Sequence, residues 1–244
     1  MSNNALLAPR LTAAEFHRAV LELSPTVAVF DCDGTLWSGD SGSGFMNWSI
    51  ETGLVSRDTA SWIDARYRAY HRAEVSEYDI CAQMVQMYHS LREDEVRAAA
   101  RAFFPARVAR NIFPEMRALV DDLLSRNVEL WAVSSTNNWV IEEGVRDFGI
   151  PPSRVLAARV HISDGIVTNT ILDVPTDERK AAALKRAGIT QPDAVFGNSI
   201  HDAAMLSLAR RAFPVNPTAA LLDRSAQKSW PIFYPASVAP PPAA

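Results

Sequence analysis

Apolar residues in this chain are grouped in two ways. Short continuous β-prone runs occur at Thr26 to Phe30 (TVAVF), Val128 to Val133 (VELWAV) and Ala194 to Phe196, each followed by small or polar residues and then a segment of helical spacing. A run of this length signals a strand buried on both faces, and strands alternating with helices predict a mostly parallel sheet with helices packed on it. A lead helix is expected at about residues 11 to 23, before Ser24 and Pro25 break the pattern. From about Gly44 to Arg126 the spacing stays helical with no clear strand, too long a stretch for a simple crossover. It predicts a helical cap inserted after the first strand, with Gly39, Gly42 and Gly44 as a flexible connection and Pro114 opening the helix that returns to the core. Val160 to Leu172 has β-prone stretches on either side of Asp164-Gly165, the strongest hairpin signal in the chain, and is placed beside the core sheet.

The pattern therefore predicts an α/β fold: a Rossmann-like three-layer core from residues 1–41 and 111–230, and a helical cap over 42–110. Residues 231–244 are expected to form a flexible Pro/Ala-rich tail whose first aromatics pack on the core. With 244 residues, 48% of them hydrophobic, the chain can bury a substantial core. A formal charge of -4 and a pI near 5.7 provide no broad basic surface, which argues against nucleic acid as the main partner and leaves small anionic substrates open. Two cysteines, Cys32 and Cys81, suit a reducing cytoplasm, and no apolar stretch reaches the roughly 18 residues that a membrane span needs, so no membrane partner is expected. Of the 24 cationic residues only Lys180, Lys185 and Lys228 are lysines, which makes each worth examining.

Ligands of open α/β sheets bind beyond the carboxyl ends of the strands, so Asp31, Ser134 and the residues from Gly197 onward are the first candidates for a site. The segment FDCDGTLW brings two carboxylates, Asp31 and Asp33, to the end of one buried strand, with Gly34 able to take an unusual backbone angle.

FDCDGTL resembles the first motif of the haloacid dehalogenase superfamily. Ser134 after the second run, Lys180 before a helix and GNSIHD at Gly197 to Asp202 follow in the order expected of that family, over about residues 25 to 217. The resemblance implies that Asp31 is a nucleophile toward phosphorus and Asp33 a general acid and base. It implies that Ser134, with Ser135 beside it, and Lys180 bind phosphate, and that Mg2+ is held by Asp31, Asp33 and the residue after Gly197, with Asp202 nearby. That residue is Asn198, where most relatives carry Asp, so the metal site has one negative charge fewer. An amide oxygen is still an acceptable ligand for a hard cation, and weakened binding is the expectation.

Electrostatics makes cations necessary in such a site. Two unit charges about 4 Å apart repel by about 4 kcal/mol at an effective dielectric of 20, so an anionic Asp31 approaches an anionic phosphate only with positive charge nearby. The second carboxylate favours phosphoryl chemistry over dehalogenation. A Schiff-base phosphonate cleavage is excluded, because no lysine precedes Lys180. The helical insertion, the triplet Gly39 to Ser41 and the stretch DAAML resemble the phosphoserine phosphatase-like branch, in which Asp40 would read a substrate ammonium. The expected function is Mg2+-dependent hydrolysis of a small phosphate monoester, an amino-alcohol phosphate such as phosphoserine or phosphocholine. Two alternatives use the same residues: a phosphotransferase, and a relative that Asn198 has impaired to a phosphate-ester binder. Aromatics in the cap (Phe45, Trp48, Trp62, Tyr67, Tyr70, Tyr78, Tyr88) can pack or form a cation-π cage, and Arg66, Arg68 and Arg72 can grip a second anionic group.

Overall fold

A computed structural model describes residues 7–238. The chain begins with β1 (Arg10–Leu11) and α1 (Ala13–Leu21), the latter started by a capping box in which Thr12 and Glu15 satisfy each other's backbone N–H groups. The first buried strand, β2 (Val27–Phe30), leads to four helices: α2 (Ser41–Glu51), α3 (Arg57–His71), α4 (Glu77–Gln86) and α5 (Glu93–Phe103). Asp40, Ser56 and Ser76 cap the first three through side-chain oxygens, and three acids, Glu93, Asp94 and Glu95, open the fourth. A π-helical turn at Phe104–Val108 and a 3-10 turn at Ala109–Asn111 end the insertion. α6 (Pro114–Ser125) follows with Pro114 in its first turn, as the sequence predicts.

The remaining elements are β3 (Glu129–Asn137), α7 (Asn138–Arg146), β4 (Val155–Ser163), β5 (Ile166–Asp173), α8 (Glu178–Arg186), β6 (Ala194–Gly197), α9 (Ala203–Leu206), β7 (Arg211–Pro214), α10 (Ala219–Lys228) and β8 (Ile232–Phe233). Six strands form one sheet in the order β5-β4-β3-β2-β6-β7, parallel except for β5. The predicted hairpin is the β4–β5 pair, and Asp164 and Gly165 both take the positive φ that a tight hairpin turn needs.

Alternation along β2 shows why both sheet faces are covered. Ala28 and Phe30 point into a core that includes Phe16, Phe196 and Phe213, whereas Val29 points to the opposite face with Trp131, Val133 and Val195. Phe30 and Phe196 stack with centroids 4.5 Å apart, which ties the two central strands beneath the site.

Two expectations change. Phe233 packs on the core as expected of the first aromatics of the tail, its ring stacked on Phe16 at 4.3 Å, but Ile232 and Phe233 are a strand rather than flexible, paired in parallel with Arg10 and Leu11. The apolar pair is buried, and the burial of two large side chains outweighs the ordering of a short segment. The Pro/Ala run 239–244 lies outside the described residues. Gly42 and Gly44 belong to α2 rather than to a hinge, leaving Gly39, at φ 90°, as the left-handed residue of that connection.

The helical insertion also meets the core outside its two chain connections. The loop between α4 and α5 lies along the β4–β5 turn: Ser90 N donates to Val167 O at 2.8 Å, Val167 N to Leu91 O at 2.9 Å, and Glu93 N to Gly165 O at 2.9 Å. These backbone bonds clasp the insertion on the side away from its chain connections. Among the described residues no helix is long and apolar enough to cross a membrane.

Candidate active site

The carboxyl ends of β2, β3 and β6 lie side by side, so the residues that follow them converge. Asp31 N donates to Phe196 O at 2.9 Å, which extends the pairing with β6 one residue past the end of β2. A cavity of about 250 Å³ opens there, lined on the core side by Asp31, Asp33, Ser134, Lys180, Asn198 and His201. α3 and α4 contribute the facing wall. Asp40 and Ser135 line the same cavity, so seven of the eight candidates from sequence meet in one place.

Asp31 is buried, with one carboxylate oxygen accepting from Lys180 Nζ at 2.7 Å and the other from Thr35 Oγ1 at 2.9 Å. Lys180 also donates to Asp202 at 2.6 Å. Two buried carboxyls, Asp31 and Asp202, thus share one buried ammonium, and the half-buried Asp33 stands apart from it with its own donors. Burial, and then the charge of Asp202, push the Asp31 carboxyl up to about 7 against the pull of Lys180. Burial acts against the Lys180 ammonium, but the two carboxylates outweigh it and hold its pKa above the usual lysine range.

Asp202 does not face the cavity. One of its oxygens is taken by Lys180, the other by the backbone N–H groups of Asn198 and Ser199, both at 2.9 Å. Its place is to hold the Asn198 loop and Lys180, which differs from direct contact with a metal. Gly34 explains how Asn198 comes close: a Cβ there would lie 1.9 Å from Asn198 Nδ2, and Gly34 has φ +76°.

Asp33 is gripped by three donors. Trp37 Nε1 and the Ser41 backbone N–H, both at 2.7 Å, share one oxygen, and Thr136 Oγ1 donates to the other at 2.8 Å. Burial first, and then the charge of Asp40, push this carboxyl up. Ser41 is the first residue of α2, so Asp33 links the core to the inserted helices.

Ser134 is buried and its hydroxyl oxygen accepts from Thr136 N at 3.1 Å, leaving its own proton to donate. The Ser135 hydroxyl is instead spent on Pro175 O at 3.0 Å, which removes it as a phosphate donor. Asp40 caps α2 by accepting from Ser43 N at 3.0 Å.

The structure brings in residues the sequence did not single out: Thr35, Trp37 and Thr136 around the two aspartates, and Glu77 with His201 across the cavity. Thr35 and Trp37 carried a signal from their place in FDCDGTLW and His201 from its place in GNSIHD, whereas Thr136 and Glu77 belong to neither. Arg66, Arg68 and Arg72 pair with Gln83, Asp64 and Glu74 and line no part of the cavity. Of the cap aromatics only Tyr67 and Tyr70 line it.

A divalent cation suits this site on two observations. The buried carboxyls outnumber their ammonium, and burial, followed by the charge of Asp202, pushes Asp31 up despite Lys180, a cost that a further cation would relieve. No cluster of three His, Cys, Asp or Glu side chains stands as a complete metal site among the described residues, so backbone and amide oxygens have to complete the set.

Residues 28–207 match the haloacid dehalogenase-like hydrolases, and the chain belongs to that family. It is similar to a histidinol-phosphatase of Neisseria meningitidis serogroup C (strain 8013), 24% identical over 217 residues, covering 84% of this chain and 97% of the relative. In structure it is similar to a protein of unknown function from Bordetella pertussis Tohama I, with a TM-score of 0.75 and 21% identity over 85% of this chain and 97% of that one. A phospho-aspartyl intermediate analogue of phosphoserine phosphatase shares the fold at a TM-score of 0.56 and 15% identity, covering 86% of this chain and 93% of that chain.

Proposed function

We propose that this hydrolase cleaves small phosphate monoesters with Mg2+, through a phosphoryl group carried on Asp31, and that its substrates are amino-alcohol phosphates. The observation that carries the reading is the buried Asp31–Lys180–Asp202 group beside a second carboxyl, Asp33, in one small cavity.

Lys180 and Thr35 fix the Asp31 carboxylate, so its free lone pairs are aimed without loss of side-chain freedom during the reaction. Asp31 attacks phosphorus, and Asp33, raised in pKa by burial, gives its proton to the leaving oxygen. Asp33 then takes a proton from the water that releases phosphate. Thr136 can hold Asp33 in both states, since a hydroxyl donates to a carboxylate and accepts from a carboxylic acid. Ser134 donates to a phosphate oxygen, and Lys180 offsets the anionic charge. Mg2+, when bound, would be held by the Asp31 carboxylate, the Asp33 carbonyl and the Asn198 amide oxygen, and would neutralise phosphate charge.

The amino-alcohol reading is supported by acidic groups, Asp40 and Glu77, lining the rest of the cavity with no arginine beside them. The histidinol-phosphatase relative and the phosphoserine phosphatase of similar fold are both named for esters of this class.

The test is phosphate release from phosphoserine, histidinol phosphate, phosphocholine, sugar phosphates and nucleoside monophosphates, with Mg2+ or with EDTA. Release confined to Mg2+ and strongest with an amino-alcohol ester is expected. Saturable binding of these esters without release would support the impaired-binder alternative, and a new ester formed with added alcohol would support phosphotransfer.

A further inference from the structure

We infer that Glu77, the first residue of α4, selects the leaving group, taking a cation that donates hydrogen bonds, such as a primary ammonium or an imidazole-bearing amine, in preference to a quaternary ammonium. This rests on the phosphatase reading of the same cavity.

Once phosphate meets Asp31, the leaving group has the rest of a cavity of about 250 Å³, walled by Tyr67, Tyr70, Glu77, Cys81 and Met84 from the insertion and by His201 from the core. The clasp of the α4–α5 loop on the β4–β5 turn ties this wall to the core sheet.

Two carboxylates outside the catalytic group line that space, and their surroundings differ. Asp40 is exposed and already caps α2. Glu77 has a side chain only 19% exposed, so an ionic hydrogen bond to it is weakened less by water.

Glu77 also retains capacity to accept. One oxygen takes the Tyr70 hydroxyl, and the other has only the Cys81 thiol at 3.6 Å, a weak donor. His201 Nε2 stands 3.9 Å from Glu77, beyond hydrogen-bond range, with its imidazole fixed from behind by Asp177 at 2.7 Å from Nδ1. A carboxylate accepts about four hydrogen bonds, so Glu77 can still meet two N–H groups of a ligand entering beside His201.

A quaternary ammonium has no N–H to give and is held by aromatic faces. Here the aromatics are otherwise engaged: Phe45 and Tyr88 are buried against each other, Trp48 packs on Phe103, Trp62 faces solvent and Tyr78 lies under Arg179. Tyr67 and Tyr70 alone do not make a cage.

The test compares native protein with Glu77→Gln, which keeps the shape and removes the charge. Kinetics are measured on phosphoethanolamine and histidinol phosphate against glycerol 2-phosphate and phosphocholine. The native preference in kcat/KM for the primary ammonium esters over the other two is expected to be at least about tenfold, equal to about 1.4 kcal/mol, and to collapse in Glu77→Gln mainly through KM. A larger loss from Asp40→Asn than from Glu77→Gln, or a native preference for phosphocholine, overturns the assignment. Calorimetric titration with L-histidinol itself needs no turnover, and binding at least about tenfold weaker to Glu77→Gln is expected. Equal affinity for both proteins overturns the role of Glu77. No release from any ester, with the titration difference intact, overturns the phosphatase reading alone.

Discussion

Asp31 is held in the folded chain at a disadvantage that its chemistry needs. Its folded pKa of about 7 lies above the ordinary 3.8, so the folded chain binds this proton more tightly than the unfolded one. The associated stability is present below about pH 3.8 and is lost as pH rises through about 7. At about 1.4 kcal/mol per pH unit the displacement sets an upper bound of about 4 kcal/mol. Asp31→Asn should therefore abolish the turnover seen with Mg2+ and, in EDTA at pH 8, raise stability by about 1–3 kcal/mol, since Lys180 keeps Asp202 as a one-to-one partner. Urea unfolding at pH 8 and pH 5 checks this, and the gain should shrink at the lower pH. Asn198→Asp restores a carboxylate at a cavity wall already rich in acid. We expect it to lower the Mg2+ concentration for half-maximal activity by about tenfold or more, read from a metal titration of phosphate release. Asp31, Asp33 and Ser134 were legible in the sequence because each follows closely on a short apolar run, and Lys180 through the order of the features that resemble the family. Glu77 and Thr136 were not, because their place depends on where a helix and a loop far away in the chain come to rest.

At the scale of elements, the feature that bears most on function is the clasp between the α4–α5 loop and the β4–β5 hairpin. Three backbone bonds far from the Gly39 connection mean that the insertion swings open only by giving up hairpin contacts. We expect the amides of Ser90, Glu93 and Val167 to exchange with solvent as one group, slowly, and at a common opening free energy. Hydrogen exchange resolved by residue checks this, and fast independent exchange would show the insertion to be free. The hairpin was legible because Asp164-Gly165 is the residue pair a tight turn demands. The glycine hinge was misjudged at Gly42 and Gly44 because a glycine in a connection and one inside a closely packed helix look alike in sequence. β7, with Arg211 and Pro214 among its four residues, lacked the continuous apolar run that marked the other strands.

Over the whole molecule, the two ends of the described chain close the core together. β1 and β8 pair in parallel, and Phe233 stacks on Phe16, which meets Phe196 and Phe213 of the sheet edge-on. Phe233→Ala should cost about 3–5 kcal/mol by leaving a cavity beside Phe16, a loss measurable as a lower midpoint in denaturant with the active-site residues untouched. The alternation of strands and helices made the α/β class legible, whereas pairs of two-residue strands leave no periodic signal. On the proposed mechanism, the core and the insertion together present a buried carboxylate to phosphate in a small cavity. The most direct test is to mix the protein with p-nitrophenyl phosphate and Mg2+, quench in acid within the first turnover, and map the peptides by mass spectrometry. A phosphoryl group on the peptide carrying Asp31, lost in Asp31→Asn, is the result expected; turnover with that peptide unmodified, or phosphate on another residue, would contradict the account.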